Sequence, residues 1–398
     1  MLQFISPSAG GGEALFYHFA DSMKMKGHDI SIICYAIKVP PVTSRRNSGL
    51  GVDDLERKGI KIYPVKPAIE DRAGVVLTYS QQIGYIISAI KAGFKIARSE
   101  KFDIIHANTY SPIIPAYVLG KIFKIPIVST IHHVTLGHWK LWSSQESVHG
   151  SASLIGPYYE KFILKIPASA VHVVSNTTKE DFLLINPKAK VHMIYNGLDF
   201  GKYPRTDTSY DYQKFLVFVG RLVITKNLGV VIRAFQVVIR TIPDAKLIIV
   251  GEGPMRKEWE NYSREMNLAN SIIFMGHVKS ETKEELLRTC AALLLPSLME
   301  GFGRVIIEAF AMCKPVIASN IKALTEVISN DRDGFLISPD DVEEWATKMC
   351  YLLSNAQVCK VMGTNGRTKA ERKFNLELIS GEIEQLYSDI IQQQEGVL

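Results

Sequence analysis

The sequence predicts an α/β protein made of two doubly wound, Rossmann-like parallel-sheet domains. Its 398 residues are too many for one ordinary hydrophobic core. Short runs rich in Val and Ile alternate with segments of helical periodicity along almost the whole chain, which is typical of parallel sheets covered by helices on both faces. A stretch rich in Gly, Asp, Pro and Ser at 196–212 divides this alternation into two similar halves.

The predicted elements follow one another in chain order. Strands are predicted in the first half at 2–6, 29–34, 60–64, 104–107, 127–131, 170–175 and 191–195. In the second half they are predicted at 215–219, 246–250, 271–274, 291–295 and 315–318. Helical spacing is seen between them, for example at 13–26, 79–98 and 178–184.

We therefore predict an N-terminal domain over 1–198, a C-terminal domain over 199–375 and a last segment over 376–398. Apolar residues at helical spacing make this last segment a helix, which could pack back on the first domain or simply end the chain. Open α/β sheets bind ligands at the carboxyl ends of their strands. We therefore expect the two domains to face a central cleft that holds the ligand.

Composition narrows the class of protein. The chain is 47% apolar and 22% charged, which excludes wholesale disorder. Its five cysteines lack CxxC spacing and indicate reduced thiols, not a disulfide framework or a zinc site. The apolar run at 2–6 ends at once in a Pro/Gly loop, and the longer apolar stretch at 113–128 is broken by Pro and Lys. We expect a cytoplasmic protein without a transmembrane segment.

The net charge of +6 is unevenly distributed. Residues 1–198 carry 22 Lys and Arg against 14 Asp and Glu, a net charge of +8. This indicates an anionic partner such as a membrane surface, or only a solvated surface; nucleic acid is not expected. Segment 79–98 mixes apolar residues with Lys91, Lys95 and Arg98. That pattern fits peripheral contact with an anionic membrane, or an ordinary domain helix with a basic face.

Two cations follow the predicted strand at 215–219. Gly220-Arg221 comes directly after it, and Lys226 lies five residues beyond Arg221. An arginine fork and a lysine ammonium just past the end of a strand can hold a pyrophosphate and neutralise its charge as it leaves. A loop with solvated charges is the alternative for these residues taken alone.

Two carboxylates flank the start of a predicted helix after the strand at 291–295. Glu300 precedes Gly301, Phe302 and Gly303, whose backbone amides could approach a ligand at the helix start. Glu308 lies two turns further, among apolar neighbours, where a carboxylate needs a partner. We predict that Glu308 accepts the hydroxyls of a ribose and that Glu300 reaches a sugar, which together describe a nucleotide-sugar site.

The first domain offers weaker candidates. Gly10-Gly11-Gly12-Glu13 closes the first strand and opens a helix, as phosphate-binding loops do, although GxGxxG is absent. His132 and His133 end the strand at 127–131, so at least one imidazole is expected in the cleft, with a core or surface histidine as the alternative. Trp139 and Trp142 follow, and either could stack on an acceptor or merely pack in the loop.

A metal ion is not expected. Asp331-Arg332-Asp333 has the form of a DxD motif, but it stands before Gly334 in an evident turn. Arg221 and Lys226 can supply the positive charge that a metal would bring. We therefore predict neither a metal nor any other cofactor, with the nucleotide sugar acting as co-substrate.

These residues together resemble glycosyltransferase family 4, the retaining nucleotide-sugar transferases of GT-B fold, over most of the chain. The matching motifs are Gly10-Gly11-x-Glu13, Gly27-His28, Thr130-x-His132, Asn196-Gly197-x-Asp199, Gly220-Arg221…Lys226, Gly251-x-Gly253-Pro254, Pro296-Ser297…Glu300-Gly301-Phe302-Gly303…Glu308-Ala309, Lys314-Pro315-Val316 and Asp333-Gly334-Phe335-Leu336. Arg304 departs from the pattern, because an apolar residue is common there, and it could alter donor contacts.

The resemblance implies a role for each matching residue. Arg221 and Lys226 would bind the donor diphosphate and Glu308 the ribose, while Glu300 and the amides of Gly301, Phe302 and Gly303 would meet the donor sugar. Gly11 and Gly12 would close on the phosphates, His132 would lie near the reacting sugar, and the backbone around Val278 would border the base. We place His133 and Trp139 on the acceptor side.

The predicted function is therefore retaining transfer of a hexosyl unit from a UDP-sugar or GDP-mannose to a saccharide or polyprenyl-linked acceptor, without a metal. Catalysis is assigned to Glu300, His132, Arg221 and Lys226. One alternative is a non-catalytic subunit that binds a sugar nucleotide or glycan. Another is an oxidoreductase with two Rossmann-like domains, against which the missing GxGxxG argues.

Overall fold

The computed structural model describes residues 2–5, 11–38, 52–70, 79–135, 138–139, 151–203 and 212–395. Gly10 and Trp142 lie outside these residues. The chain forms two compact units. The first takes in the described parts of Met1–Trp139, Ser151–Gly197 and Leu376–Leu398, and the second takes in those of Leu198–Asn375.

The described strands of the first unit form one parallel sheet. They are β1 (Leu2–Ile5), β2 (Ser31–Lys38), β3 (Lys61–Glu70), β4 (Ile105–Asn108), β5 (Ile127–Ile131), β6 (Ala170–Val173) and β7 (Val191–Met193), in the order β3-β2-β1-β4-β5-β6-β7. The helices between them are α1 (Gly11–Met25), α2 (Val52–Arg57), α3 (Tyr79–Ser99), α4 (Ile113–Phe123), α5 (Ser151–Leu164) and α6 (Asn176–Ile185). The order reverses direction between β1 and β4.

The second unit repeats this plan. Its strands are β8 (Phe215–Val219), β9 (Lys246–Val250), β10 (Ile272–Gly276), β11 (Ala292–Leu295), β12 (Val316–Ser319) and β13 (Gly334–Ile337), in the order β10-β9-β8-β11-β12-β13. Its helices are α7 (Leu228–Thr241), α8 (Arg256–Glu265), α9 (Ser280–Thr289), α10 (Arg304–Ala311), α11 (Lys322–Thr325), α12 (Val342–Ser354) and α13 (Ala356–Lys373). The reversal here falls between β8 and β11.

The central strands of the second unit are buried on both faces. Leu216, Val217 and Phe218 in β8 are fully buried, and so is β11. Uninterrupted apolar runs of this kind belong to parallel sheets that helices cover on both sides. The predicted α/β fold with two doubly wound parallel sheets is therefore confirmed. Strand β13 was not predicted, because its four residues directly follow a turn.

The last helix, α14 (Leu376–Glu395), belongs to the first unit. It packs on α1, with Ile379, Ile383 and Ile390 buried. Glu384 accepts hydrogen bonds from Lys26 Nζ (2.5 Å) and His28 Nε2 (2.6 Å), so a charged contact supplements the apolar one. The helix is therefore an integral layer of this unit.

A buried chain of hydrogen bonds crosses the first sheet and reaches α14. His172 Nε2 donates to the carbonyl of Ile194 (2.8 Å), which leaves Nδ1 to accept from the Thr130 hydroxyl (2.8 Å). Thr130 Oγ1 in turn accepts from His106 Nε2 (2.6 Å), and His106 Nδ1 accepts from Tyr387 (2.5 Å). Burial lowers the pKa of His172 to about 4 and that of His106 well below its usual value, so both imidazoles are neutral. With neutral rings, every donor along the chain meets one acceptor.

Candidate active site

Two loops meet in the second unit where the strand order reverses. After β8 the chain makes a short 3₁₀ turn that ends at Lys226, and after β11 it continues to Glu300. The backbone N–H of Leu298 donates to the carbonyl of Thr225 (2.8 Å) and ties the two loops together. Because ligands of open α/β sheets bind at this reversal, these loops form the candidate site.

Lys226 and Glu300 are in direct contact there. Lys226 Nζ donates to Glu300 Oε1, and Ser297 Oγ donates to the same oxygen (2.8 Å). Ser297 is fully buried, and both charged side chains are largely shielded from solvent. The structure thus joins two predicted site residues that are 74 positions apart in the sequence. Ser297 was not predicted as a site residue, although it lies within the motif that suggested Glu300.

Gly220 and Arg221 stand at the exit of β8. The N–H of Gly220 donates to the carbonyl of Val250 (3.0 Å), which continues the sheet. A Cβ at Gly220 would lie 3.1 Å from the Phe218 ring, so the missing side chain leaves room for this buried ring, while Lys226 at 3.9 Å would be in ordinary contact. Arg221 is half-buried directly after this glycine, within the same loop.

The segment Gly301 to Gly303 leads into α10. Gly303 is left-handed (φ 78°), and an added Cβ would lie 2.9 Å from Ile306 and 3.0 Å from Leu324. Conformation and packing therefore both require glycine at this helix start. The Phe302 ring is buried and makes an edge contact with Phe374 (5.3 Å between centroids). Its ring is a core element, which leaves its backbone amide as the group that could contact a donor.

Glu308 lies on α10 between two cations. Lys283 Nζ of α9 binds Oε2 at 2.9 Å, and Arg304 Nε approaches Oε1 at 3.6 Å. The expectation that a carboxylate among apolar neighbours needs a partner is met by these two groups. Tyr203 is nearby, and burial together with the charge of Glu308 raises its pKa above the usual value.

Sequence reasoning missed Lys283 and Tyr203 as neighbours of Glu308. Lys283 stands in a helix of mixed charge, where nothing in the spacing distinguishes it from a solvated lysine. Arg304, the departure from the family pattern, contacts Glu308 one turn away on the same helix. The predicted Val278 is half-buried just after β10, two residues beyond left-handed Gly276.

The glycines after β9 serve the packing of neighbouring loops. A Cβ on Gly251 would lie 1.8 Å from the carbonyl oxygen of Gly220, and one on Gly253 would lie 2.3 Å from that of Leu222. Gly251 also has a φ of 135°. These glycines therefore let the β9 loop press against the loop that carries Arg221 and Lys226.

His132 follows β5 in the first unit. Asn108 Oδ1 accepts from the N–H of Thr109 (2.9 Å) and from His132 Nε2 (2.7 Å), which places the imidazole proton on Nε2. Burial, with His172 and His133 nearby, lowers the pKa of His132 to about 3. The ring is therefore neutral and can act as a hydrogen-bonding group near neutral pH.

The remaining candidates of the first unit have structural contacts. Gly11 and Gly12 open α1. The carbonyl of His133 accepts from Tyr110 (2.9 Å). Trp139 Nε1 donates to Glu160 (2.8 Å), and its ring lies where a Cβ on Gly156 would be, which favours loop packing for this tryptophan.

The Asp331-Arg332-Asp333 segment forms the turn before β13. Asp331 is left-handed (φ 60°), while buried Asp333 accepts from the N–H of Ser329 (2.9 Å) and pairs with Lys369 (2.5 Å). Within the described ranges, no group of three or more His, Cys, Asp or Glu side chains is placed to share a metal ion.

Two family models match the chain. The model described as Glycosyltransferase Family 4 matches residues 9–202, and the model described as Glycosyl transferases group 1 matches residues 199–369. An uncharacterized glycosyltransferase of Methanocaldococcus jannaschii is 24% identical over 397 residues, which cover 96% of this chain and 95% of the relative.

A named relative and a solved structure add to this. The UDP-Gal:alpha-D-GlcNAc-diphosphoundecaprenol alpha-1,3-galactosyltransferase of Escherichia coli is 26% identical over 349 residues, covering 82% of this chain and 87% of the relative. The crystal structure of Anabaena HepE with UDP and glucose has a TM-score of 0.75 at 19% identity, covering 97% of this chain and 98% of that one. The structural likeness confirms the predicted GT-B fold. Because the two family models adjoin and together match residues 9–369, the chain belongs to glycosyltransferase family 4 and is a glycosyltransferase.

Proposed function

We propose that this enzyme moves a hexosyl unit from a UDP-hexose to a hydroxyl of a saccharide or lipid-linked saccharide, with retention of the anomeric configuration. The observation that carries the proposal is the contact of Lys226 with Glu300 at the strand-order reversal of the second unit. An ammonium that could bind a phosphate thus lies beside a carboxylate that could accept sugar hydroxyls, and this supports a nucleotide sugar as the donor.

The donor diphosphate is proposed to bind Lys226 and Arg221. Lys226 is bound to Glu300 in this structure, so an incoming phosphate oxygen competes for the ammonium. The amides of Gly301, Phe302 and Gly303 stand at the start of α10, where N–H groups and the helix dipole favour negative charge. The leaving diphosphate is thereby neutralised by groups of this chain, and we propose that transfer needs no divalent metal.

Glu308 is proposed to bind the ribose. Lys283 Nζ binds one oxygen at 2.9 Å and the Arg304 guanidinium lies 3.6 Å from the other, so cations flank both ends of the carboxylate and restrain it. A fixed carboxylate can accept hydroxyls from a cis-diol with little loss of side-chain entropy. We propose UDP as the nucleotide because the E. coli relative is named for UDP-Gal and the HepE structure holds UDP.

Retention is proposed to follow a front-face course. The bond from the anomeric carbon to the diphosphate oxygen breaks, the bond to the acceptor oxygen forms on the same face, and the acceptor proton goes to the leaving diphosphate. Glu300 Oε1 already accepts hydrogen bonds from Ser297 and Lys226. A carboxylate engaged in this way is better suited to positioning the donor sugar than to nucleophilic attack. His132, being neutral, would act as a hydrogen-bond partner of the sugar and not as an acid.

The test begins with a thermal-shift panel of UDP-, GDP- and ADP-hexoses, since a ligand that binds the folded state raises its melting temperature. Transfer from the stabilising donor is then measured with and without a chelator, and the anomeric configuration of the product is read by NMR. Lys226→Met and Glu308→Ala should abolish transfer, while Lys257→Met, an exposed lysine on α8, serves as the matched control. Full activity in both site variants contradicts the assignment, and an inverted product contradicts retention. Donor binding without any turnover would favour a non-catalytic subunit.

A further inference from the structure

Three helices of the first unit expose large apolar side chains on one layer. Seven of the fifteen large apolar side chains that are exposed among the described residues lie on α3, α4 and α5. They are Ile83, Ile87, Phe94, Ile122, Ile155, Tyr158 and Phe162. Tyr158 and Phe162 are 76% and 62% exposed, which is far more than loose packing against a neighbour would leave. We call the solvent-facing side of these three helices the α3–α5 face.

The three helices form one layer on the sheet. The Phe94 and Phe123 rings join α3 to α4, with centroids 5.3 Å apart. Ser111, just before α4, donates to Gln82 of α3 (3.0 Å) and lies 3.4 Å from the hydroxyl of Tyr159 in α5. The three helices are therefore neighbours, and the exposed apolar groups lie on adjacent elements of one unit.

The charges on this surface have one sign. Exposed cations on the three helices and in the residues just after them are Lys91, Lys95, Arg98, Lys121, Lys124, Lys161 and Lys165. Helices α3 and α4 contain no Asp or Glu, and Glu100, directly after α3, is half-buried and accepts from Lys61 Nζ (2.8 Å). The single carboxylate of α5, Glu160, is only 2% exposed and points inward. It accepts from Tyr110 (2.8 Å), from the N–H of Thr135 (2.7 Å) and from Trp139 (2.8 Å).

The combination of exposed apolar groups with exposed cations favours one class of partner. Cations without exposed carboxylates favour a surface of high negative charge. The phosphates and stacked bases of a nucleic acid would leave Ile83 and Ile87 in water, whereas lipid acyl chains would bury them. No helix in the described part of the chain is both long and apolar enough to cross a bilayer, so contact would be parallel to the surface.

We propose that the α3–α5 face docks the enzyme on the surface of an anionic lipid bilayer, with the aliphatic and aromatic side chains inserted at the headgroup level and the lysines paired with lipid phosphates. The proposal does not depend on which sugar is transferred, since it concerns a surface outside the donor site of the second unit.

The test is sedimentation of the full chain with vesicles of phosphatidylcholine alone, and of phosphatidylcholine and phosphatidylglycerol in equal parts, at low and high salt. We expect binding to the anionic vesicles only, weakened by salt. Lys91→Gln combined with Lys95→Gln should weaken it by about fivefold for each charge removed. Ile83→Ser combined with Phe162→Ser should remove the binding that persists at high salt.

The matched controls lie on the second unit. Lys257→Gln with Lys360→Gln removes two exposed cations, and Tyr351→Ser with Val361→Ser removes two exposed apolar groups. All variants replace exposed side chains, and melting temperature with circular dichroism verifies that they fold. The proposal is overturned if the wild type does not bind anionic vesicles, if it binds both vesicle types equally, or if the variants of the α3–α5 face bind as the controls do. An acidic protein would then be the better candidate for this surface.

Discussion

Replacing Thr130 with valine is expected to destabilise the first unit, because one buried hydroxyl there makes two hydrogen bonds. Thr130 accepts from His106 Nε2 and donates to His172 Nδ1 at 2.6 and 2.8 Å. All three side chains are fully buried, so water cannot replace the lost partner. Valine has nearly the same shape, and the substitution therefore removes the polar contacts while it keeps most of the packing.

The size of the effect follows from the two groups left without partners. A buried donor or acceptor that loses its partner costs about 1 to 3 kcal/mol, so a donor on His106 and an acceptor on His172 together cost roughly 2 to 6 kcal/mol. For a unit of this size, 1 kcal/mol lowers the melting temperature by about 2 to 4 °C, so the valine variant should melt at least about 4 °C lower.

The assay is thermal unfolding by circular dichroism, combined with amide hydrogen exchange to locate the loss. Faster exchange is expected in β4, β5 and β6, which carry the chain of hydrogen bonds, and not in β8 to β13. Thr130→Ser keeps the hydroxyl and should lose little stability. Ser129→Ala is the matched control, because Ser129 precedes Thr130 in β5 and its buried Oγ has no hydrogen-bond partner among the described residues. If the valine variant has the same melting temperature as the Ser129→Ala variant, the stabilising role of the buried chain of hydrogen bonds is refuted.

Three further predictions concern other features. The pKa of His172 is about 4 in the folded protein and about 6.5 in the unfolded chain, so between these pH values only the unfolded chain takes up a proton on this residue. Roughly 3 kcal/mol of unfolding free energy should therefore be lost as the pH falls through that window. Equal unfolding free energies at pH 7 and pH 5 would contradict this. Gly251→Ala would place a methyl 1.8 Å from the Gly220 carbonyl and should displace the loop of the donor site, so an unchanged donor affinity would argue against this packing role. Lys283→Met should weaken donor binding by about tenfold, or about 1.4 kcal/mol, because Glu308 loses its lysine partner and becomes less ordered. Lys279→Met, which replaces an exposed lysine, should leave donor binding unchanged, and calorimetric titration with UDP measures the affinity of both variants.

Most strands of both sheets could be predicted from the sequence because they are short and nearly all apolar, and those at the centre of each sheet, such as β4, β5, β11 and β12, are fully buried. Runs such as 215–219 and 246–250 are nearly all apolar, so periodicity and length specify them without knowledge of their neighbours. The bounds of β8 and β9 agree with the prediction residue for residue. Helix α14 was predicted as well, but Leu378 in its apolar pattern is 54% exposed, since it lies one residue from the buried stripe of Ile379 and Ile383.

The partners of the site residues could not be predicted in this way. Lys226 and Glu300 were each recognised by position after a strand, yet their contact depends on β8 and β11 being neighbours, which is a property of the sheet order. The same holds for Lys283, which reaches Glu308 only because α9 and α10 are adjacent. Side-chain type and spacing suggest candidate groups, and topology decides which of them meet.

The membership of α14 in the first unit has a consequence for biosynthesis. The described residues of the second unit are 198–203 and 212–375, whereas the first unit combines residues that precede this stretch with α14, which follows it. The chain passes from the first unit to the second at 197–198 and returns at 375–376, and these two points are adjacent. The N–H of Leu198 donates to the carbonyl of Phe374 (2.9 Å), and a Cβ on Gly197 would lie 2.9 Å from the Cα of Leu376. During synthesis the unit that begins first is therefore completed last, because Tyr387 can reach His106 only after the whole second unit has left the ribosome.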